Sequence, residues 1–509
     1  FQARDGTFVS AAGLKSGFLA AIRPSEVGDP ETLLNALGEI LPLERESFFA
    51  KAAKSEDPYE ELTRRISPKD AERITAKQLP GVSLYKERWR FYPGERLSAH
   101  LLGFVGWDGV LRSGRYGLER YYDDVLSRGS ESVYRNFFSE LLFDVAKAVG
   151  ENERGAGDIV TSIEPSVAQV LEDTLEDVSE RFSASRAGGI VMDPMTGRIY
   201  ALSLLPSFNP NEFSKEAEVN VFSNFLTEGV FEMGSIIKPL TLAAGLDAGV
   251  ITATSTYLDA GFLVLNEKRI SNFDGKGRGR VSMQEVLNQS LNTGAAYVAL
   301  QLGAERFRKY FQGYGFGEET GIDLPNEAPG LVRNLMSTRE IELVTASYGQ
   351  GIALTPIQTV RALAALANGG VLVTPHLVTK INYELGFSRS VEKDERVRIL
   401  KRESAEEMTR MLVQVVDTAL LQGAYKLPHH TVAAKTGTAL IANPEGGGYY
   451  EDRFLHTFFG YVPAYEPRFI VFLLLAEPKG TPFAAYSLTE PFMKIVKFLI
   501  NYYGIPPDR

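Results

Sequence analysis

The chain has 509 residues, of which 44% are hydrophobic and 23% charged, a globular balance over a length that suits roughly two to four domains. A net charge of −10 excludes a broad basic surface, so composition does not point to nucleic acid as the main partner. The absence of cysteine removes thiol nucleophiles, thiolate zinc sites and disulfides together.

In chain order, the first element is a helix over Glu31 to Leu41, with Leu33, Leu34, Leu37 and Leu41 on one side. Glu60 to Ile74 alternates charges as an exposed helix does, with a break expected at Ser67-Pro68. A polar, glycine-bearing stretch from Gly150 to Gly157 reads as a domain boundary. A strong helix follows, with Pro165 in its first turn and Val167, Leu171, Leu175 and Val178 as its apolar stripe. Gly189–Met192 and Arg198–Leu202 then flank the turn Asp193-Pro-Met-Thr-Gly197 as a hairpin. Residues 234–370 are mostly helical and loop-rich, and the run Lys276–Arg280 among glycines reads as a solvated turn. Three strands close the chain, over Thr431–Ala439, Thr457–Tyr461 and Phe469–Ala476, before a helix with Phe492, Ile495, Val496, Leu499 and Tyr503 on one stripe. Phe469–Ala476 is apolar on both faces and should be a central strand covered on each side. The fold class is therefore α+β, an antiparallel sheet built from the start and end of a domain with a helical lobe inserted between.

The five histidines (His100, His376, His429, His430 and His456) show no metal-pair spacing, so no metal site is expected. The longest apolar run is too short to span a membrane. The chain begins at Phe1, and a leading segment carrying any membrane anchor is expected to precede it.

Three short motifs occur in order: Ser235-Ile-Ile-Lys238, Ser290-Leu-Asn292 and Lys435-Thr-Gly437. Each alone is weak, because Ser83-Leu-Tyr-Lys86, Ser207-Phe-Asn209 and Lys15-Ser-Gly17 fit the same patterns. Context separates them. Ser235 precedes a helical pattern, which sets it at a helix N-terminus that favours developing negative charge. Lys238, three residues on, lies on the same face, and burial would lower its pKa enough to make it a base. Ser290 and Asn292 occupy a break between helices, the first of them capped by Ser282 with Glu285. Ser290 could pass a proton and Asn292 could hold a substrate amide. Lys435 to Thr438 belongs to a strand that can pair with an extended peptide. Gly437 would let a ligand approach closely, Thr436 and Thr438 offer hydroxyls to a carboxylate, and Lys435 adds charge.

The segments around these motifs resemble class B penicillin-binding proteins over nearly the whole chain. The resemblance rests on Phe231-Glu-Met-Gly-Ser-Ile-Ile-Lys-Pro-Leu240, Gly349-Gln-Gly-Ile-Ala-Leu-Thr-Pro-Ile-Gln358, Phe458–Pro463 and the Tyr502–Pro507 ending. Ala99–Gly106 and Gly117–Tyr122 are similar to that family's non-catalytic pedestal, while Met233 stands where the family usually has proline. The resemblance implies a penicillin-binding transpeptidase-like domain over 156–509 and an elongated pedestal or dimerisation domain over 1–155. It also implies a peptidoglycan stem peptide ending in D-Ala-D-Ala as substrate, attacked by Ser235 with Lys238 as base. The backbone N–H groups of Ser235 and Thr438 would form the oxyanion hole, and β-lactams would acylate the same serine. No cofactor is implied. A membrane glycosyltransferase partner, a single N-terminal anchor and a periplasmic catalytic domain are further implications, in division or in elongation.

Two alternatives carry different chemistry. A β-lactamase of class A would need a Glu-x-x-Leu-Asn segment after the second motif, and the only match is Glu31–Asn35, far too early. A D,D-carboxypeptidase differs only in using water as acceptor, and a β-lactam sensor or structural member of a wall-building complex would bind without turning over.

Overall fold

The computed structural model describes residues 1–108, 111–127, 155–384, 386–391, 393, 396–443 and 446–509. Contacts divide the chain into a small unit, Ser10–Pro93, and a large one made of Phe1–Val9 with Gly94–Arg509. The boundary expected near residue 155 falls where 128–154 lie outside the described residues. Residues 94–127 pack with the large unit, where the Phe104 ring stacks on Phe213 and meets Phe208 and Phe222 edge-on.

In the small unit, strand β1 (Gly13–Ile22) carries helix α1 (Pro30–Gly38), β2 (Glu60–Ile66), α2 (Pro68–Ala76) and β3 (Val82–Phe91) after it. The sheet order is β2-β1-β3, antiparallel throughout. Leu33, Leu34, Leu37 and Leu41 are buried in one cluster, as their spacing predicts. Glu60–Ile66 is a strand rather than the helix its charges suggested. Pairing with β1, which sets Ile66 opposite Phe18, outweighs weak local propensity. The break at Ser67-Pro68 stands, because Pro68 opens α2 with the Ser67 hydroxyl accepting from the Asp70 N–H.

The large unit begins its sheet with helix α3 (Pro165–Phe182) and the hairpin β4 (Arg186–Met192) and β5 (Ile199–Leu205). A helical middle follows: α4 (Lys238–Asp247), the small hairpin β6 (Phe262–Leu265) and β7 (Lys268–Ser271), α5 (Met283–Asn288), α6 (Asn292–Gly313), α7 (Glu340–Ala346) and α8 (Arg402–Gln414). Strands β8 (Ala433–Ala442), β9 (Tyr449–Val462) and β10 (Phe469–Ala476) return to the sheet, and α9 (Ala484–Tyr503) closes the chain. The five strands run β8-β9-β10-β4-β5, all antiparallel. Every residue of the central strand β10 is buried. Cover on both faces follows from the pleat of β9: Phe458 stacks on Phe492 of α9, whereas Tyr461, on the opposite face, bonds Thr409 of α8 at 2.8 Å. Strand β8 is left at an edge, with Thr436, Thr438 and Leu440 partly open on one face. Among the described residues no helix is long and apolar enough to cross a membrane.

Candidate active site

Ser235 sits where a tight turn becomes a helix. Ser235 belongs to a 3₁₀ turn, Gly234–Ile237, and the α-helix α4 begins only at Lys238. The sequence placed the helical pattern at Ser235 itself, and Pro239 accounts for the delay. An α-helical bond to the Ser235 carbonyl would need the N–H of residue 239, which proline lacks, so the Lys238 N–H takes that carbonyl instead. Gly234 turns into this segment with φ 65°. That left-handed conformation suits glycine, and a Cβ there would lie 3.0 Å from the Thr438 carbonyl.

Lys238 lies on the first turn of α4 and is completely buried. Its Nζ donates to Ser235 Oγ at 2.9 Å, to the Ser290 carbonyl at 2.6 Å and to Ser290 Oγ at 3.2 Å. Ser290 occupies the break between α5 and α6 at φ 55°, a conformation uncommon outside glycine, and it turns both its carbonyl and its hydroxyl toward Lys238. Lys435 on β8 approaches from the other side, donating to Ser290 Oγ at 3.1 Å and to the Thr436 carbonyl at 2.9 Å. Two lysine side chains thus share one serine hydroxyl. Among the described residues neither has a carboxylate partner.

The electrostatic consequence is direct. Burial, reinforced by the Lys435 charge, holds the Lys238 pKa well below the ordinary lysine value. Burial pushes Lys435 down to about 8. Lys238 therefore gives up its proton first, leaving a neutral amine against Ser235 and a cation at Lys435.

The remaining members converge on the same cleft. Asn292 Nδ2 donates to the Ser271 carbonyl at 2.9 Å, which leaves its carboxamide oxygen as an acceptor. The Thr438 hydroxyl accepts from the Ala484 N–H at 3.1 Å and keeps its own proton to donate. Thr436 stands on the same open face of β8. At Gly437 the packing of the fold itself requires a glycine. A Cβ there would sit 2.3 Å from Thr457 Oγ1 and 2.8 Å from the Met233 carbonyl, so its missing side chain admits the nucleophile segment against β8. The look-alike motifs have ordinary structural settings. Ser83 lies on β3, the Lys15 ammonium sits 3.5 Å from the centre of the Phe91 ring, and the Asn209 carboxamide accepts from the Asn211 N–H.

Sequence reasoning missed two supports. Glu232, three residues before Ser235, accepts from the Gly351 N–H at 3.0 Å and from the Tyr449 hydroxyl at 2.8 Å. It stood inside the quoted nucleophile segment, but nothing local announces Tyr449, far along the chain. The second is Asp259, buried beside α6 and bonded to Thr293 Oγ1 at 2.8 Å. The Lys276–Arg280 turn serves it, since the Arg278 N–H donates to Asp259 at 3.1 Å. Glu285 completes only half of the expected capping box. Its N–H reaches Ser282 Oγ, while its carboxylate turns to Asn288 and Gln289.

The penicillin-binding protein transpeptidase domain matches residues 187–497, and the penicillin-binding protein dimerisation domain matches residues 9–140. The chain is 29% identical to stage V sporulation protein D of Bacillus subtilis, covering 99% of this chain and 78% of that protein. It is 27% identical to the peptidoglycan D,D-transpeptidase FtsI of Escherichia coli, covering 95% of this chain and 78% of that one. Penicillin-binding protein 2X of Streptococcus thermophilus shares the fold, with a TM-score of 0.76 at 19% identity over 98% of this chain and 80% of that one. These relatives favour transpeptidation over the carboxypeptidase and sensor alternatives. With such a match over most of its length, the chain belongs to the penicillin-binding transpeptidase family as a class B protein, a serine-type peptidoglycan D,D-transpeptidase that binds peptidoglycan and β-lactams.

Proposed function

We propose that Ser235 is the acylated nucleophile, Lys238 its base, and Ser290 with Lys435 the proton relay to the leaving group. Neutral Lys238 takes the Ser235 hydroxyl proton as Oγ attacks the carbonyl of the penultimate D-alanine. The backbone N–H groups of Ser235 and Thr438 stabilise the resulting oxyanion, a contribution of about 3 kcal/mol. The proton then passes through Ser290 to the amide nitrogen, the C–N bond breaks, and D-alanine leaves. The amine of a second stem peptide attacks the ester, loses a proton to Lys238, and Ser235 departs with its own proton restored. Asn292 accepts a substrate N–H, while Lys435, Thr436 and Thr438 face the terminal carboxylate along the Gly437 strand. The observation that carries this reading is the buried Lys238 amine, 2.9 Å from Ser235 Oγ and without a carboxylate partner among the described residues.

In this reading residues 1–155 are the pedestal or dimerisation part and 156–509 the transpeptidase part. A single N-terminal anchor holds the protein in the cell membrane with the catalytic part on the periplasmic side. It acts there beside a membrane glycosyltransferase, in division or in elongation. The test is incubation with a fluorescent penicillin, followed by denaturing gel and peptide mass spectrometry. A long-lived adduct on Ser235, absent from Ser235→Ala, is the expected result. No adduct, or one on another residue, sinks the assignment.

A further inference from the structure

A second cavity opens beside Asn292, and no part of the reaction described above uses it. It has a volume of about 410 Å³ and runs between the β6–β7 hairpin and α7. Three cationic side chains line it, Lys268 and Arg269 from β7 and Arg339 just before α7, against one carboxylate, Glu342. Arg339 meets Glu342 at 3.3 Å and Arg269 lies over the Phe262 ring, while Lys268 has no ion-pair partner among the described residues. Glu267 and Glu340 adjoin these residues in sequence but do not line the cavity. In a protein of net charge −10, this wall concentrates positive charge.

Exposed cations alone carry little meaning, because most are simply solvated. What distinguishes these is the inner wall they face. Asn292 lines the cavity and also stands two residues from Ser290, whose hydroxyl both catalytic lysines contact. Tyr348 and Gln350 line it too, and Gly349 between them accepts the Gly234 N–H at 3.1 Å. The two inner segments thus adjoin residues that contact Lys238 and Gly234, and Asn292, assigned above to a substrate N–H, is itself part of the wall.

We propose that this cavity is a carboxylate subsite of the transpeptidase, in which Lys268, Arg269 and Arg339 hold an acidic residue of the peptidoglycan stem peptide. The proposal rests on the acyl-transfer reading of Ser235 and adds a chemical preference to it: stem peptides carrying a free side-chain carboxylate bind better than the same peptides amidated there. Two cations in excess of Glu342 select for the anion, and the selection weakens as salt screens it. The carboxylate belongs either to the donor strand or to the acceptor, and the two differ in whether Ser235 must be free.

The test is binding of a fluorescein-labelled stem pentapeptide, as free side-chain carboxylate and as amide, followed by polarisation. The partners are the wild type and the Lys268→Glu, Arg269→Glu double variant, both on an exposed hairpin. The carboxylate form binds the wild type about tenfold more tightly, and the double variant loses that margin. Fluorescent-penicillin acylation of Ser235, followed in parallel, proceeds at the same rate in both, which shows that the variant is folded and tests the acyl-transfer reading separately. Repeating the titration after penicillin has blocked Ser235 assigns the source. Preference that survives the block belongs to an acceptor, and preference that disappears belongs to the donor. Equal binding of the two peptides to the wild type, the absence of binding to both included, overturns the subsite, as does an undiminished preference in the double variant.

Discussion

Two buried polar clusters lie against the start of α6, and they are built on opposite principles. Around Asp259 every charge is answered: its carboxylate accepts from Gly261, Asn272, Thr293 and Arg278, and Asn272 in turn accepts from the Thr293 N–H at 3.2 Å. Just before Asn292 in the chain, two buried lysines share the Ser290 hydroxyl with no carboxylate partner among the described residues. The satisfied cluster contributes stability and position, because it pins the first turn of α6 and so the Ser290–Asn292 break. The unsatisfied one costs stability, because burial without a carboxylate disfavours the charged form of each lysine, and it leaves a neutral amine beside Ser235. Polar burial thus marks structure where its partners are complete and chemistry where they are withheld.

Substitutions on the two sides should therefore produce opposite signatures. Lys238→Met replaces the buried amine proposed as base with an apolar side chain of similar length. Acylation by penicillin should fall about a thousandfold, while resistance to urea stays level or rises. Asp259→Ala should reverse the pattern. It leaves the Gly261 and Arg278 N–H groups without their side-chain acceptor and takes one of two acceptors from Asn272 and from Thr293, at a cost of about 3 kcal/mol in urea unfolding. Its acylation rate, measured well below the unfolding midpoint, should fall far less than that of Lys238→Met. If both variants lose activity and stability in parallel, the contrast between the clusters fails.

The pH dependence sharpens the same contrast, with a smaller effect. Acylation should rise on the acid side as Lys238 loses its proton and decline above about 8 as Lys435 loses its charge. The stability term has a definite sign. Lys435 has a folded pKa depressed to about 8, so between that pH and the unfolded value of about 10.4 the unfolded chain binds more protons. Lys435 should then add at most about 3 kcal/mol to a rise of stability with pH through that window, a rise to which buried Lys238 also contributes, and Lys435→Met should remove only the Lys435 share of the slope. A wild-type urea midpoint that tracks the variant across the window would remove Lys435 as an uncompensated charge.

The legibility of the two clusters differs for a physical reason. The cleft was readable because its members sit in short local patterns: Ser235 with Lys238 on one helical turn, Ser290 with Asn292 at a helix break, and the Lys435 strand. The central strand Phe469–Ala476 and the stripe on α3 were equally readable, since periodicity is local. Asp259, Asn272, Thr293 and Arg278 come from four separate segments, and nothing in the local sequence of any one of them signals the others. The same holds for Glu60–Ile66, whose strand identity depends on β1 and not on its own charges. Gly437 has a packing role that its motif does not announce, because only the packed fold shows that Met233 and Thr457 occupy the space beside it.

Glu232 lies between the two extremes and sets the smallest expected effect. Burial raises its pKa, yet the Gly351 N–H and the Tyr449 hydroxyl both donate to it, so its carboxylate is partly answered. The Tyr449 bond joins the first residue of β9 to the segment that ends at Ser235. Because Tyr449 is 38% exposed, removing its hydroxyl should cost no more than about 1 kcal/mol. Tyr449→Phe keeps the ring and deletes only that donor. Glu232 then loses a bond that favours its charged form, so its pKa should rise further. Acylation should fall about threefold at neutral pH, with the loss deepening toward acid, where protonated Glu232 accepts less well from Gly351. A Tyr449→Phe rate that parallels the wild type at every pH would show that Glu232 holds the nucleophile segment through Gly351 alone.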